Sequence, residues 1–160
     1  MLILLDIDGV MVPANSWRRP EFHEDGFPVF SDKAVNALNR IITETNAKVI
    51  LTTSHKSKYS IAKWKAIFNH RGVQIRGIEK LSNSKIMYDR KDEIVTWFNK
   101  RKDSDVEEFV IIDDDKMLNG LPGFIKENLV LTSPSIGLTD ELAQDAIDKL
   151  KHHKVGGGKF

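Results

Sequence analysis

The residues best suited to chemistry stand at two places far apart in the chain. Asp6-Ile7-Asp8-Gly9-Val10 follows the apolar run Leu2-Ile3-Leu4-Leu5, and Asp113-Asp114-Asp115 follows a second run, Phe109-Val110-Ile111-Ile112. Carboxylates placed directly after a buried strand are costly to desolvate and are rarely kept there without a partner or a metal. If the two strands are neighbours in a parallel sheet, five acids gather at one edge, where ligands bind in open α/β sheets. Such a cluster repels itself and calls for a cation, and oxygen donors alone select a hard one, Mg²⁺ before others.

Two further segments offer complementary groups. Thr52-Thr53-Ser54-His55 closes a β-branched run, and a hydroxyl at a strand end beside exposed N–H groups can hold a phosphoryl oxygen. Thr52, Thr53 and Ser54 are the candidate hydroxyls. Asp89-Arg90-Lys91-Asp92 opens a helix, and a lysine in a first turn sits at the unfavourable end of the helix dipole. Holding an anion or neutralising carboxylates gives Lys91 a reason to be there. Trp17-Arg18-Arg19 lies in the loop after the first acid pair, where Arg18 can reach a phosphate and Trp17 can stack on a base. The competing reading is a flap that packs Trp17 and leaves the arginines in water. His55 either meets substrate or faces solvent, and His23, Glu24 and Asp25 read as a polar loop rather than a metal cluster.

Alternating strands and helices must position these groups. Residues 2–6 read as a buried strand, and 9–31, with Pro13, Pro20, Gly26 and Pro28, as a long loop with room for a small hairpin. A helix follows from Ser31 or Asp32 to about Thr45, then a strand over 47–53 and a helix over about 57–70 that ends at Gly72. A short strand is expected at 73–75, irregular chain over 77–89, a helix over about 91–102 and a strand over 107–112. Asn119-Gly120-Leu121-Pro122-Gly123 reads as a loop, 128–132 as the last strand, and Thr139 as the cap of a final helix, with a tail from residue 154. Continuous apolar strands between helices mean a parallel sheet covered on both faces.

Composition narrows the field. A chain of 160 residues suits one domain, a net charge of +1 gives no bulk attraction to nucleic acid or membrane, and the absence of cysteine removes thiolate metal sites, disulfides and cysteine nucleophiles. No apolar stretch approaches the ~20 residues of a membrane span, and the N-terminus lacks the pattern of a signal peptide. The expectation is a soluble, cytoplasmic protein with no membrane partner.

The order Asp6-Ile7-Asp8-Gly9-Val10, Thr53, Lys91, Asp113-Asp114 resembles the four motifs of the haloacid dehalogenase-like (HAD) phosphohydrolases, over nearly the whole chain. Ile112-Asp113-Asp114 and Gly137-Leu138-Thr139 look closest to the small HAD domains of polynucleotide- and RNA-repair proteins. Those often carry Trp-Arg after the second-motif hydroxyl, where this chain has His55-Lys56. The resemblance implies a three-layer α/β/α sandwich with a Rossmann-like, mostly parallel five-stranded sheet, its first strand central and beside the acidic fourth. A single catalytic domain over 1–153 would carry 9–31 as a flap, with no large cap. It further implies Asp6 as nucleophile, Asp8 as acid and base, and Thr53, Lys91 and the N–H groups after Asp6 around the phosphoryl group, with Thr52 or Ser54 as alternatives to Thr53 and Lys85 as the alternative to Lys91; Ser54, His55 and Arg18 are further candidate substrate contacts. Mg²⁺ would be held by Asp6, Asp8 (through its backbone carbonyl), Asp113 and Asp114.

The expected function is a Mg²⁺-dependent phosphomonoesterase working through an aspartyl-phosphate. Without a large cap the site is open, which favours a nucleotide or a polynucleotide-end phosphate as substrate. The alternatives are a phosphatase for a small phosphometabolite or phosphoprotein, and a non-enzymatic module of the same fold, which would have no need of Asp8. A phosphate-receiver domain also joins acids, Thr and Lys on an α/β sheet, but there the lysine comes after the acids, and here Asp113 follows Lys91.

Overall fold

Apolar runs without polar alternation suit strands covered on both faces, and in a computed structural model of the chain they form the middle of one sheet. The structure describes residues 1–14, 21–82, 89–101 and 107–157. Its strands are β1 (Leu2–Leu5), β2 (Lys48–Leu51), β3 (Ile78–Lys80), β4 (Phe109–Asp113) and β5 (Leu129–Leu131). They lie in the order β3-β2-β1-β4-β5, and every pairing is parallel. Leu5 pairs with Leu51 on one side and Ile112 on the other, so the three central strands end level. The next residues are Asp6, Thr52 and Asp113, so the register brings the acids and the hydroxyl to one edge.

The helices are α1 (Asp32–Thr45), α2 (Ile61–His70), α3 (Arg90–Lys100), α4 (Gly123–Lys126) and α5 (Asp140–Gly157), with 3₁₀ turns at Lys56–Lys58 and Lys116–Gly120. Short polar side chains start four of them. Ser31 accepts from the Ala34 N–H, Ser60 from Lys63, Asp89 from Asp92 and Thr139 from Leu142, each satisfying a donor the helix leaves free. Side chains alternate across the sheet. Ile3, Leu5, Val49, Leu51, Val110 and Ile112 face α1, α2 and α5, whereas Leu2, Leu4, Ile50, Phe109 and Ile111 face α3, α4 and the 3₁₀ turn before it. The result is a three-layer α/β/α sandwich.

Some elements depart from the sequence reading. The third strand lies at Ile78–Lys80 rather than 73–75, because Val73 is still part of the turn leaving α2 and Ile78 is the residue that pairs with Val49. The helix expected from residue 57 starts at Ile61, since Ser60 caps it and a 3₁₀ turn precedes it. The Asn119–Gly123 segment, expected as a loop, instead ends the 3₁₀ turn at Gly120 and opens α4 at Gly123, with only Leu121 and Pro122 between them. α5 continues through Gly157 and so takes in residues expected as tail.

Candidate active site

The turn leaving β1 is built on one carbonyl. Ile7 O accepts from the N–H groups of Val10, Met11 and Val12, and Gly9 N–H donates to Val12 O at 2.8 Å. Gly9 has φ +78°, and a Cβ there would collide with the Asp114 carboxylate, so the glycine both turns the chain and admits the acid from the next strand. The loop before α5 clasps the same turn. Leu138 N–H donates to Val10 O at 2.8 Å, the Thr132 hydroxyl donates to Gly9 O at 2.7 Å, and a Cβ on Gly137, φ +80°, would strike Val10 O. Gly137-Leu138-Thr139 therefore fixes the acid-bearing turn from outside while Thr139 caps α5.

Asp6 and Asp113 are buried, at 2 % and 0 % exposure, with Asp114 half-buried beside them. Each offers a carboxylate oxygen, and these oxygens lie within 4.8 Å of one another. Asp113 also accepts the Asp115 N–H at 3.0 Å, and Asp115 accepts from Met117 N–H, so this third acid caps a turn. Burial, and then the charge of Asp113, push the Asp6 carboxyl up to about 8, against the opposing pull of Arg90 and the Ile7 N–H. Burial is likewise the first cause that lifts Asp113 to about 6. The acids are thus more crowded than their surroundings can neutralise. An oxygen-only, partly compensated set of three carboxylates fits a hard divalent cation.

Among the described residues, the basic group that reaches these acids is Arg90, not Lys91. Arg90 NH1 lies 3.1 Å from Asp6 Oδ2 and 3.0 and 3.1 Å from the two oxygens of Asp113. Lys91 Nζ lies beside Gly120, in the turn after β4. The difference is one residue of helical phase: α3 buries Ile94, and Arg90 stands four positions before it. A second ion pair joins Lys56 Nζ to Glu93 Oε2 at 3.0 Å, with the lysine side chain 5 % exposed. Lys56 belongs to the turn after β2 and Glu93 to the first turn of α3, so the pair ties these two elements together.

Asp8 points outward. Its carboxylate is exposed and meets His55 Nε2 at 2.8 Å, and the His55 ring stands edge-on to Phe27. His55 therefore contacts an acid of the first motif. Thr53 is fully buried, and its Oγ1 accepts the His55 N–H at 3.3 Å, which leaves the hydroxyl its own proton to donate. Thr52 Oγ1 is buried without a hydrogen-bond partner among the described residues, and Ser54 is exposed. Trp17, Arg18 and Lys85 lie outside the described residues.

The sequence reading missed Arg90 and the Lys56–Glu93 pair. Counting back four residues from Ile94 and eight from Phe98 leads to Arg90 in both cases, and this phase signal was available. Nothing local to His55-Lys56 marks that lysine for burial.

The sequence model of the family described as the HAD domain in Swiss Army Knife RNA repair proteins matches residues 2–143, from the first strand into the last helix. No curated protein matches the chain.

Proposed function

The chain belongs to the HAD domains of Swiss Army Knife RNA repair proteins, and from that premise we propose that it is a phosphomonoesterase that removes phosphate from nucleic-acid ends through an aspartyl-phosphate. The observation that carries the reading is the difference between the two acids of one turn. Asp6 is buried against Asp113 and Asp114, whereas Asp8, two residues on, is exposed and held by His55. One carboxylate is set among acids that need a cation, and the other is free to trade protons with solvent and substrate.

In this reading an Asp6 carboxylate oxygen attacks phosphorus in line, and the bond from phosphorus to the ester oxygen breaks. Asp8 gives its proton to that leaving oxygen. A water then attacks the phosphorus of the aspartyl-phosphate, Asp8 takes a proton from it, and the bond to Asp6 breaks to release inorganic phosphate. Asp6, Asp113 and Asp114 are the side chains that would hold Mg²⁺, which supplies positive charge against the repulsion between a carboxylate and a phosphate dianion. Thr53 and Thr52 donate hydroxyl protons to phosphoryl oxygens, together with the N–H groups that follow Asp6. His55 fixes the carboxylate of Asp8. The family's occurrence in RNA repair supports a nucleic-acid end as the phosphate's carrier.

Phosphate release tests this. Oligonucleotides phosphorylated at either end, mononucleotides, sugar phosphates, a phosphopeptide and an aryl phosphate would be offered with and without Mg²⁺. The expected result is Mg²⁺-dependent release, greatest from an oligonucleotide end, that falls by about a thousand-fold or more in Asp6→Asn. Retained release in that variant would remove Asp6 as the nucleophile, and preference for a sugar phosphate or phosphopeptide would overturn the substrate class.

A further inference from the structure

Among the described residues, the buried Arg71 and the half-buried Arg90 both meet carboxylates, and they do so in different ways. Arg71, its side chain 1 % exposed, uses the guanidinium as a fork: NH1 and NH2 bond the two oxygens of Asp25 at 2.6 and 2.9 Å. It also donates to the carbonyls of Pro28, Ile67 and Phe27, so that Nε and both terminal nitrogens are engaged. That is a structural clip with its donors used. Arg90 instead inserts one nitrogen, NH1, between Asp6 and Asp113, in the manner of a single cation. Its Nε is buried without a hydrogen-bond partner among the described residues. A buried donor left unmade is costly, so this contact is not the best that the guanidinium can make.

The oxygens that NH1 contacts belong to the same carboxylates that would ligate a divalent cation. A guanidinium nitrogen some 3 Å from these oxygens and a cation bonded to the same carboxylates compete for the same negative charge. Among the described residues, three carboxylates against one guanidinium also leave the cluster short of positive charge. We propose that Arg90 and a divalent cation exchange at Asp6 and Asp113. Cation binding displaces NH1, and the guanidinium leaves the two carboxylates. Arg90 is then the counter-ion that the cluster holds until a divalent cation takes its place. The exchange does not rest on the phosphatase reading.

The test uses the metal alone. Binding of Mg²⁺ alone is measured by calorimetry for wild type and Arg90→Gln, in the absence of substrate. The variant should bind Mg²⁺ about ten-fold more tightly, because the competitor is gone. Unchanged or weaker binding, or no binding to either protein, overturns the exchange. Thermal unfolding shows whether the variant folds: without Mg²⁺ it should melt below wild type, and saturating Mg²⁺ should close that gap, which a purely structural arginine would not allow. If the variant fails to fold, wild type still decides, since Mg²⁺ should move the Arg90 Nε–H resonance in a magnetic-resonance titration and an unmoved resonance overturns the proposal. Tighter Mg²⁺ binding in the variant, with no phosphate release from any substrate by wild type, would leave the exchange standing and end the phosphatase reading.

Discussion

Gly9 carries two demands at once. Its φ of +78° lies in the left-handed region, and the Asp114 carboxylate occupies the space a Cβ would fill. Gly9→Ala should therefore cost about 1–2 kcal/mol through backbone conformation alone, and it should also push Asp114 off the cluster. The expected outcome is a protein that folds with a lowered melting temperature and gains much less from Mg²⁺ than wild type does. Melting curves across a Mg²⁺ titration check this; a full Mg²⁺ response in the variant would mean that Asp114 is not needed for the ion. The acid cluster was legible from sequence because apolar strands ending in acids are rare and chemically loaded. Arg90 was harder to read. Asp89-Arg90-Lys91 offers two adjacent basic residues about 100° apart on a helix, and the choice between them depends on which residue caps. Asp89 accepts from Asp92 N–H at 2.8 Å, so the helix begins at Arg90 and turns that side chain, not Lys91, to the sheet edge.

Among the elements, the loop that precedes α1 is fastened by Arg71, at the end of α2. The guanidinium lies 5.5 and 5.1 Å from the ring centres of Phe27 and Phe30 while its donors hold Asp25 and three carbonyls. Phe27 in turn stands edge-on to His55, so the clip reaches the partner of Asp8 through one ring. Arg71→Ala should cost about 1–3 kcal/mol, because it leaves the buried carbonyls of Ile67 and Phe27 without their donor. Denaturant unfolding measures this, and a loss below about 1 kcal/mol would show the clip to be dispensable. The pair also sets an acid sensitivity. Its hydrogen bonds to Arg71 hold the Asp25 carboxyl well below its ordinary 3.8. Asp25 thus contributes stability that is present above about pH 4 and is lost as pH falls towards its folded-state value. Asp25→Asn should be less stable than wild type at neutral pH and should lose less on acidification. Elements of this kind were only partly legible. β3 carries one buried apolar residue, Ile78, between Gly77 and Glu79, so it has no hydrophobic pattern, and only its pairing with β2 reveals it. The caps at Ser31 and Thr139 could be read because their chemistry is local.

Across the whole molecule, the sheet register that makes a site also makes a liability. Folding carries Asp6 and Asp113 from water, where a carboxyl ionises near 3.8, to an edge where they are raised to about 8 and about 6. Between those limits the native state binds more protons than the unfolded chain. Stability in the presence of a chelator should therefore fall as pH rises from about 4 to about 8. This slope is opposite in sign to that of Asp25, which acts below about pH 4, so the two contributions separate along the pH axis. Mg²⁺ works against the slope, since it binds the ionised carboxylates and only the native state assembles them. At saturating Mg²⁺ the decline should flatten or reverse, and each ion bound near neutral pH should release protons. Urea midpoints from pH 4 to 9, with chelator and with Mg²⁺, measure the first; calorimetric heats in buffers of different ionisation enthalpy measure the second. Parallel pH curves with and without Mg²⁺ would mean that the ion does not use these acids, and the cluster would then be a repulsive feature of the fold that Arg90 alone restrains. Converging curves at low pH that separate above it would mean that the protein keeps its acids crowded because a cation, and not a proton, is the partner they are built to hold.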